Sequence, residues 1–362
     1  MYTSFTVKNY RCFDSLTVEP LGEINLISGK NNIGKTTLLE ALFLHCGAYN
    51  PSLALRVDAF RGIEAFKVEL FKQAAVPWIS IFRGFDISKI VELAGENTQT
   101  GSRLLQLRAI RDLSTVEPLE FEGLYSFVSE DIKAPPSASE PRQILELSYE
   151  SKEGKGSVYL VLDSRGIHPM PLPPPPPFPA FFQGDRVRIP LPEEAERFGQ
   201  LEIAGKQDVL LQVLRIIEPR LKRLAVIVTA GQPAIHGDIG MGRLVPLPVM
   251  GGGITRLTSL VLHIGNATKG VALIDEIENG LHYSVLPSVW LAVAEAAREF
   301  GTQVFATTHS LECIKAAHEA FAGNDTCDFR LHRLEKIDER IRAVTFNRKQ
   351  LATAIATDLE VR

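Results

Sequence analysis

The sequence predicts an α/β fold with a mainly parallel core sheet, an added antiparallel β-sheet and a short helical arm or insertion. Three observations carry it: a glycine-rich turn at Gly29–Thr37 between an apolar strand pattern and an apolar helix pattern, a strand and helix alternation after Met250, and short alternating runs between these halves.

Each element follows in order. Phe5-Thr6-Val7 and Leu16-Thr17-Val18 read as two strands joined by a turn, and Ile24-Asn25-Leu26-Ile27 as a buried strand; with the helix begun by Leu38–Leu44 they make the front half of a nucleotide-binding core. Residues 51–75 look mainly helical. Alternating runs at Lys89–Leu93, Leu104–Ile110, Ile144–Tyr149 and Val158–Leu162, punctuated by Gly, Ser, Pro and Asn, predict the antiparallel sheet. Residues 169–179 contain five consecutive prolines, Pro173–Pro177, and must run extended as a connector that cannot join a central strand. Glu193–Leu221 repeats Val209, Leu210, Val213, Leu214 and Ile217 at helical spacing, which suits the arm. The back half brings a helix at Ile254–Ile264, a strand at Val271–Ile274, a helix from about Ser284 to Phe300, a strand at Val304–Ala306, strands near Phe329 and at Ile341–Phe346, and a closing helix.

Composition excludes some classes. With 362 residues, 45% hydrophobic and 23% charged, the chain has the make-up of an ordinary soluble protein with room for one large domain. No apolar run reaches membrane-spanning length and the start reads as a strand, so neither a membrane partner nor a signal segment is expected and the cytoplasm is the expected compartment. A net charge of −4 does not indicate DNA binding; Arg215, Arg220, Lys222 and Arg223 are the one candidate basic patch, and a solvated helix face explains them more simply. Cys12, Cys46, Cys313 and Cys327 lack metal-ligand spacing and are expected to be reduced and structural.

The chemistry is concentrated in short motifs. Gly29-Lys30-Asn31-Asn32-Ile33-Gly34-Lys35-Thr36-Thr37 has the spacing of a phosphate-binding loop: glycines let backbone N–H groups converge on phosphate oxygens, Lys35 reaches the β- and γ-phosphates, and Thr36 offers a hydroxyl to Mg²⁺. Asp275 and Glu276 follow a buried strand at its carboxyl end, where an α/β sheet places its ligand; Asp275 suits Mg²⁺, and Glu276 a base for attacking water. His309, in Thr307-Thr308-His309-Ser310, closes the next strand and suits contact with a γ-phosphate or with that water. Gly251-Gly252-Gly253 opens a helix and presents a second anion site, which would serve the nucleotide of another subunit.

Asn9-Tyr10-Arg11-Cys12-Phe13, Gly29–Thr37, Gly251–Leu257, Leu273–His282 and Thr307–Ser310, in this order, resemble the RecF/SMC-like branch of ABC-type ATPases, with the bacterial stand-alone ATPases related to the OLD nucleases nearest in pattern. The resemblance covers both ends of the chain and is weak from about residue 84 to 180. It implies a P-loop NTPase head of ABC type spanning 1–362, with an N-terminal lobe at 1–50, an inserted sheet and arm region at 51–225 and a C-terminal lobe at 226–362. By the same resemblance, ATP and Mg²⁺ are the cofactors, Glu276 is the catalytic glutamate and His309 the switch histidine. Gly29, Asn31, Asn32, Gly34, Lys35, Thr36 and Thr37 hold ATP, Arg11 lies near it, and Gly251, Gly252 and Gly253 cap the partner's ATP without the usual serine. Asn279, with Gly280 and Leu281, resembles a loop that crosses the dimer interface, and Gln183 is the candidate for a Mg²⁺-ligating glutamine that no motif places.

About fifty residues follow His309 and supply no acidic cluster, so the TOPRIM nuclease domain appended in OLD proteins is not expected. The function implied is an ATPase that dimerises on ATP and works with a separately encoded effector, such as a nuclease in anti-phage defence. The alternatives are a RecF-like DNA-repair ATPase and, third, the ATPase subunit of a transporter.

Overall fold

A computed structural model describes residues 1–47, 49–61, 76–110, 143–163, 166–184, 189–322 and 327–362. Its first strands already separate by burial. β1 (Tyr2–Tyr10) and β2 (Phe13–Val18) alternate buried and open positions, whereas β3 (Ile24–Gly29) is buried throughout. One buried face suits an antiparallel sheet and two buried faces suit a parallel core.

The strands sort accordingly. β1 and β2 join β4 (Val91–Asn97), β5 (Gly101–Ile110), β6 (Gln143–Ser151), β7 (Gly154–Asp163) and β8 (Gly166–Met170) in an antiparallel sheet ordered β2-β1-β4-β5-β6-β7-β8. This corrects the assignment of Phe5–Val7 and Leu16–Val18 to the core. Their alternation, with Val7 paired to Leu93 of β4, leaves one side wet and sends them to the added sheet. β3 instead lies in a six-stranded sheet ordered β16-β15-β3-β14-β13-β9, with β9 (Ala180–Gln183), β13 (Val271–Ile274), β14 (Gln303–Thr307), β15 (Phe329–Ile337) and β16 (Arg340–Asn347). Every pairing there is parallel except β15 with β16, the mainly parallel core expected.

Helix α1 (Lys35–Cys46) lies between the two sheets, buried on every side but at Thr36. Its Leu38, Leu39, Leu42, Phe43 and Leu44 are buried, worth on the order of 10 kcal/mol of apolar transfer before the cost of ordering the chain. α2 (Leu53–Ala59) follows, and residues 62–75 of the helical region expected at 51–75 lie outside the described residues. On the far side of the core sheet pack α3 (Leu191–Ile203), α4 (Gln207–Leu214), α6 (Gly252–Asn266), α7 (Leu286–Phe300) and α8 (Leu311–Phe321), with the one-turn α5 (Leu247–Met250) leading into α6 and α9 (Arg348–Ala356) closing the chain.

The helical segment expected as an arm is helical but packed. Phe198, Leu201, Leu210, Val213 and Leu214 are buried with Leu257 and Val261 of α6, because an apolar stripe this wide is stable only against a core. A three-stranded antiparallel sheet of β10 (Arg223–Thr229), β11 (Gln232–Asp238) and β12 (Val245–Pro246) was not anticipated. Its signal was present: a β-branched run, then Ala230-Gly231, both with positive φ, forming a two-residue hairpin turn. The proline-rich stretch matches its reading, with Pro169 on edge strand β8 and 171–179 running from that sheet to β9.

Candidate functional site

The phosphate loop sits where β3 turns into α1. Gly29 (φ 142) and Gly34 (φ 106) both require a backbone that side chains disfavour, and a Cβ on Gly34 would come within 2.7 Å of Cys12 Sγ. Cys12 is thus exposed in the turn between β1 and β2 and lines the site, unlike Cys46, Cys313 and Cys327, which are buried and free as expected. The turn holds it over the loop, so it is no core thiol.

Parallel pairing brings the distant motifs together. β13 and β14 end side by side, Ile274 opposite Ala306, and β14 lies against β3, so Asp275, Glu276 and His309 arrive at the loop. They border one cleft of about 730 Å³ with Arg11, Asn31, Asn32, Gly34, Lys35, Thr36 and Thr37. Thr36 Oγ1 donates to Asp275 Oδ2 at 2.9 Å, and Thr307 Oγ1 donates to Asp275 Oδ1 at 2.6 Å. Lys35 folds back on the loop, its Nζ donating to the carbonyl of Gly29 at 2.7 Å. Burial lowers the Lys35 pKa, opposed by the charges of Glu276, Asp275 and Glu278.

Glu276 has φ 48, a left-handed conformation that costs a non-glycine residue about 1 kcal/mol and is kept where geometry matters. Its Oε2 accepts from Asn279 Nδ2 at 2.6 Å, and its Oε1 lies 3.4 Å from His309 Nδ1. Asn279 therefore engages Glu276 of its own chain. Arg11 lines the cleft with its guanidinium held by Glu40 (2.7 Å) and Asp58 (2.6 Å). Gly251, Gly252 and Gly253 do not border the cleft; a Cβ at any of them would meet nothing within 4 Å, and no side chain caps the start of α6.

Several site residues carried no sequence signal or an overlooked one. Arg61 borders the cleft, donates to Thr37 Oγ1 at 3.0 Å and shares Glu40 with Arg11, yet stands outside every motif. Phe60 stacks on Phe182 with centroids 4.5 Å apart, and both line the cleft. Glu278 was legible by its alternation with Glu276; its Oε1 accepts from the Thr308 hydroxyl and the His309 N–H, fixing the histidine's backbone. Within the basic patch, Arg220 pairs with Glu218 and Arg215 donates to the carbonyls of Leu221 and Lys222, while Lys222 and Arg223 are exposed.

The donors present fit Mg²⁺. Thr36 and Asp275 supply hard oxygens at the cleft, whereas Gln183, the candidate glutamine, does not line it: its carbonyl accepts from Asp275 N at 2.9 Å, but its side chain lies on the opposite face of β9 from Phe182 and donates to Ser259 of α6. The described residues contain no cluster of three or more His, Cys, Asp or Glu. No described helix is long and apolar enough to cross a membrane.

Comparison with known proteins places the chain among ATPases. A family model described as "AAA domain, putative AbiEii toxin, Type IV TA system" matches residues 24–314. The chain is similar to an ATP/GTP phosphatase of Helicobacter pylori, 22% identical over 352 residues and covering 90% of each protein. It is also similar to the DNA replication and repair protein RecF of Vibrio atlanticus, 31% identical over 123 residues, 33% of each. Among solved structures, an Smc head bound to the C-winged helix domain of ScpA shares the fold with a TM-score of 0.50 at 13% identity, covering 98% of this chain and 99% of that one.

Proposed function

The chain belongs to this family of AAA domains and is an ATPase, and on that premise we propose that it works as an ATP-driven dimerising switch coupled to a separately encoded effector. The observation that carries this reading is the division of the glycine elements. Asn31, Asn32 and Gly34 to Thr37 of the loop line the cleft, while the start of α6 at Gly251–Gly253 lies away from it with open space beside each glycine, room in which a second copy could approach.

In this reading Lys35 leaves the Gly29 carbonyl for the β- and γ-phosphates, and Arg61 and Arg11 set the positive wall of the cleft. Thr36 and Asp275 would hold Mg²⁺, which would screen the phosphate charge. Glu276 takes the proton of the attacking water, with Asn279 holding one of its oxygens. His309, steered by Glu278, reads whether the terminal phosphate is present.

The effector, and a role in anti-phage defence with a nuclease as its partner, rest on the family likeness; the toxin and antitoxin pairing in the family description is itself a two-component arrangement. RecF-like DNA binding is the second reading, favoured by the partial RecF match and disfavoured by the net charge of −4. Affinity purification from the host with and without ATP, followed by mass spectrometry, separates the two: a neighbouring gene product retained with ATP supports the switch, and salt-sensitive DNA retention overturns it. Size-exclusion chromatography of Glu276→Gln with ATP adds a direct test, since a monomer under those conditions removes dimerisation from the scheme.

A further inference from the structure

The left-handed backbone of Glu276 (φ 48) is held from both sides. Its N–H donates to Thr307 Oγ1 at 2.8 Å, while its carbonyl accepts the N–H of Asn279 at 3.0 Å and Nη2 of the Arg256 guanidinium at 3.2 Å. Thr307 ends β14 and Asn279 lies in the loop after β13, so both act from the strand ends that build the site. Arg256 alone of the three reaches in from α6, about one turn beyond its first residue, Gly252.

Two features mark Arg256 as placed for this contact. The start of a helix carries the positive end of its dipole, where a cation is disfavoured, and no acidic residue stands in the first turn of α6 to offset it. An arginine there needs an acceptor outside its own helix, and the Glu276 carbonyl is one. The contact also falls where the backbone needs support. A left-handed φ is unfavourable for a residue with a Cβ and persists only where the surroundings over-determine it. Were Glu276 to relax to an ordinary φ, its Cα–Cβ bond would turn and the carboxylate that now borders the cleft would point elsewhere.

We propose that Arg256 is a positioning residue for hydrolysis: it clamps the Glu276 carbonyl and thereby aims the Glu276 carboxylate at the attacking water. The proposal rests on the reading of Glu276 as the base. It gives a role to the one charged residue of the Gly251–Leu257 segment and ties the glycine-led helix to the carboxylate of its own chain. A shift of α6, on whose start a second copy would sit, would then be felt at Glu276.

The test compares wild type with Arg256→Met, which keeps a long side chain and removes its donors, with Arg256→Lys, with Glu276→Gln, and with Arg256→Met and Glu276→Gln combined. ATP affinity is measured by calorimetry with Mg²⁺, hydrolysis as phosphate release in a single turnover, and folding by thermal unfolding. Arg256→Met should lower the single-turnover rate about ten- to a hundredfold, the effect of a misaimed group, with ATP affinity and melting temperature close to wild type. Arg256→Lys keeps the charge and a donor for the carbonyl, and should recover most of that loss. In the Glu276→Gln background, Arg256→Met should change the rate less than about twofold, because a residue that works through the carboxylate then has nothing to aim. Arg256→Gln, a shorter polar side chain, serves the same comparisons should the methionine variant not fold. A full multiplicative loss in the combined variant, wild-type rates in Arg256→Met, or a loss of ATP affinity as large as the loss of rate overturns the proposal and leaves the reading of Glu276 standing. Wild-type rates in Glu276→Gln overturn that reading and the proposal together.

Discussion

Asn279 Nδ2 donates to Glu276 Oε2 at 2.6 Å, so the carboxylate placed to activate water enters the cleft with one oxygen already engaged. The free oxygen, Oε1, is the one that faces His309. Glu276→Gln is expected to keep ATP affinity and to lower turnover by about 10²- to 10⁴-fold, the range of a lost general base. Asn279→Ala should cost less, about tenfold, because the base remains but its orientation is loosened. Phosphate release under single-turnover conditions measures both, and equal turnover in wild type and Glu276→Gln removes Glu276 from catalysis.

Lys35 contributes to the ligand rather than to the fold. Among the described residues its ammonium bonds to loop carbonyls alone, Gly29 at 2.7 Å and Lys30 at 3.2 Å. Lys35→Ala should weaken ATP binding by about 10²-fold, the worth of a charge-assisted phosphate contact, and leave the melting temperature close to wild type. Calorimetric titration with ATP checks the first part and thermal unfolding the second.

Glu40 holds the cleft wall from behind. Its side chain is fully buried and pairs with Arg11 and Arg61, which border the nucleotide side. Glu40→Ala would leave a largely buried Arg11 with Asp58 as its remaining carboxylate and should destabilise the protein by about 3–5 kcal/mol, the cost of breaking a buried pair. Urea denaturation gives the value; a change under about 1 kcal/mol would mean that Asp58 suffices.

Acid should weaken the fold. Burial lowers the pKa of His45, His263 and His332 to about 3 in each case. Between about 3 and the ordinary value near 6.5, the unfolded chain binds these protons and the folded chain does not, so stability falls as pH drops through that window. The slope is about 1.4 kcal/mol per pH unit for each histidine and vanishes above the window. Melting temperatures from about pH 4 to 8 should show this, with His332→Gln flattening the slope by roughly a third; a flat profile in wild type would refute it.

Much of the site was legible because its chemistry is written in consecutive residues. Gly29–Thr37, Asp275-Glu276 and His309 each sit at the end of a short apolar run, and a parallel sheet must bring the carboxyl ends of such strands to one edge. Arg61 and Phe60 were not legible, since each acts through a neighbour distant in sequence: Phe60 stacks on Phe182, and Arg61 reaches Thr37 and Glu40. The packed helices at 191–214 and the three-stranded sheet were misjudged or missed for related reasons. An apolar stripe announces a helix but not the surface it covers, and a two-residue turn at Ala230-Gly231 is a weak sign beside a longer hydrophobic pattern.

By itself the sequence determined the phosphate loop, the acidic pair and most of the core strands and helices as separate elements, because backbone geometry and local periodicity act over a few residues and leave their mark in the residue types. Only the tertiary structure decided which sheet β1 and β2 join, that Arg11 and Arg61 share Glu40, and that Gln183 is held by a serine from the glycine-led helix. Those outcomes depend on burial and on hydrogen-bond partners brought together by packing, and neither has a period that a linear chain can display.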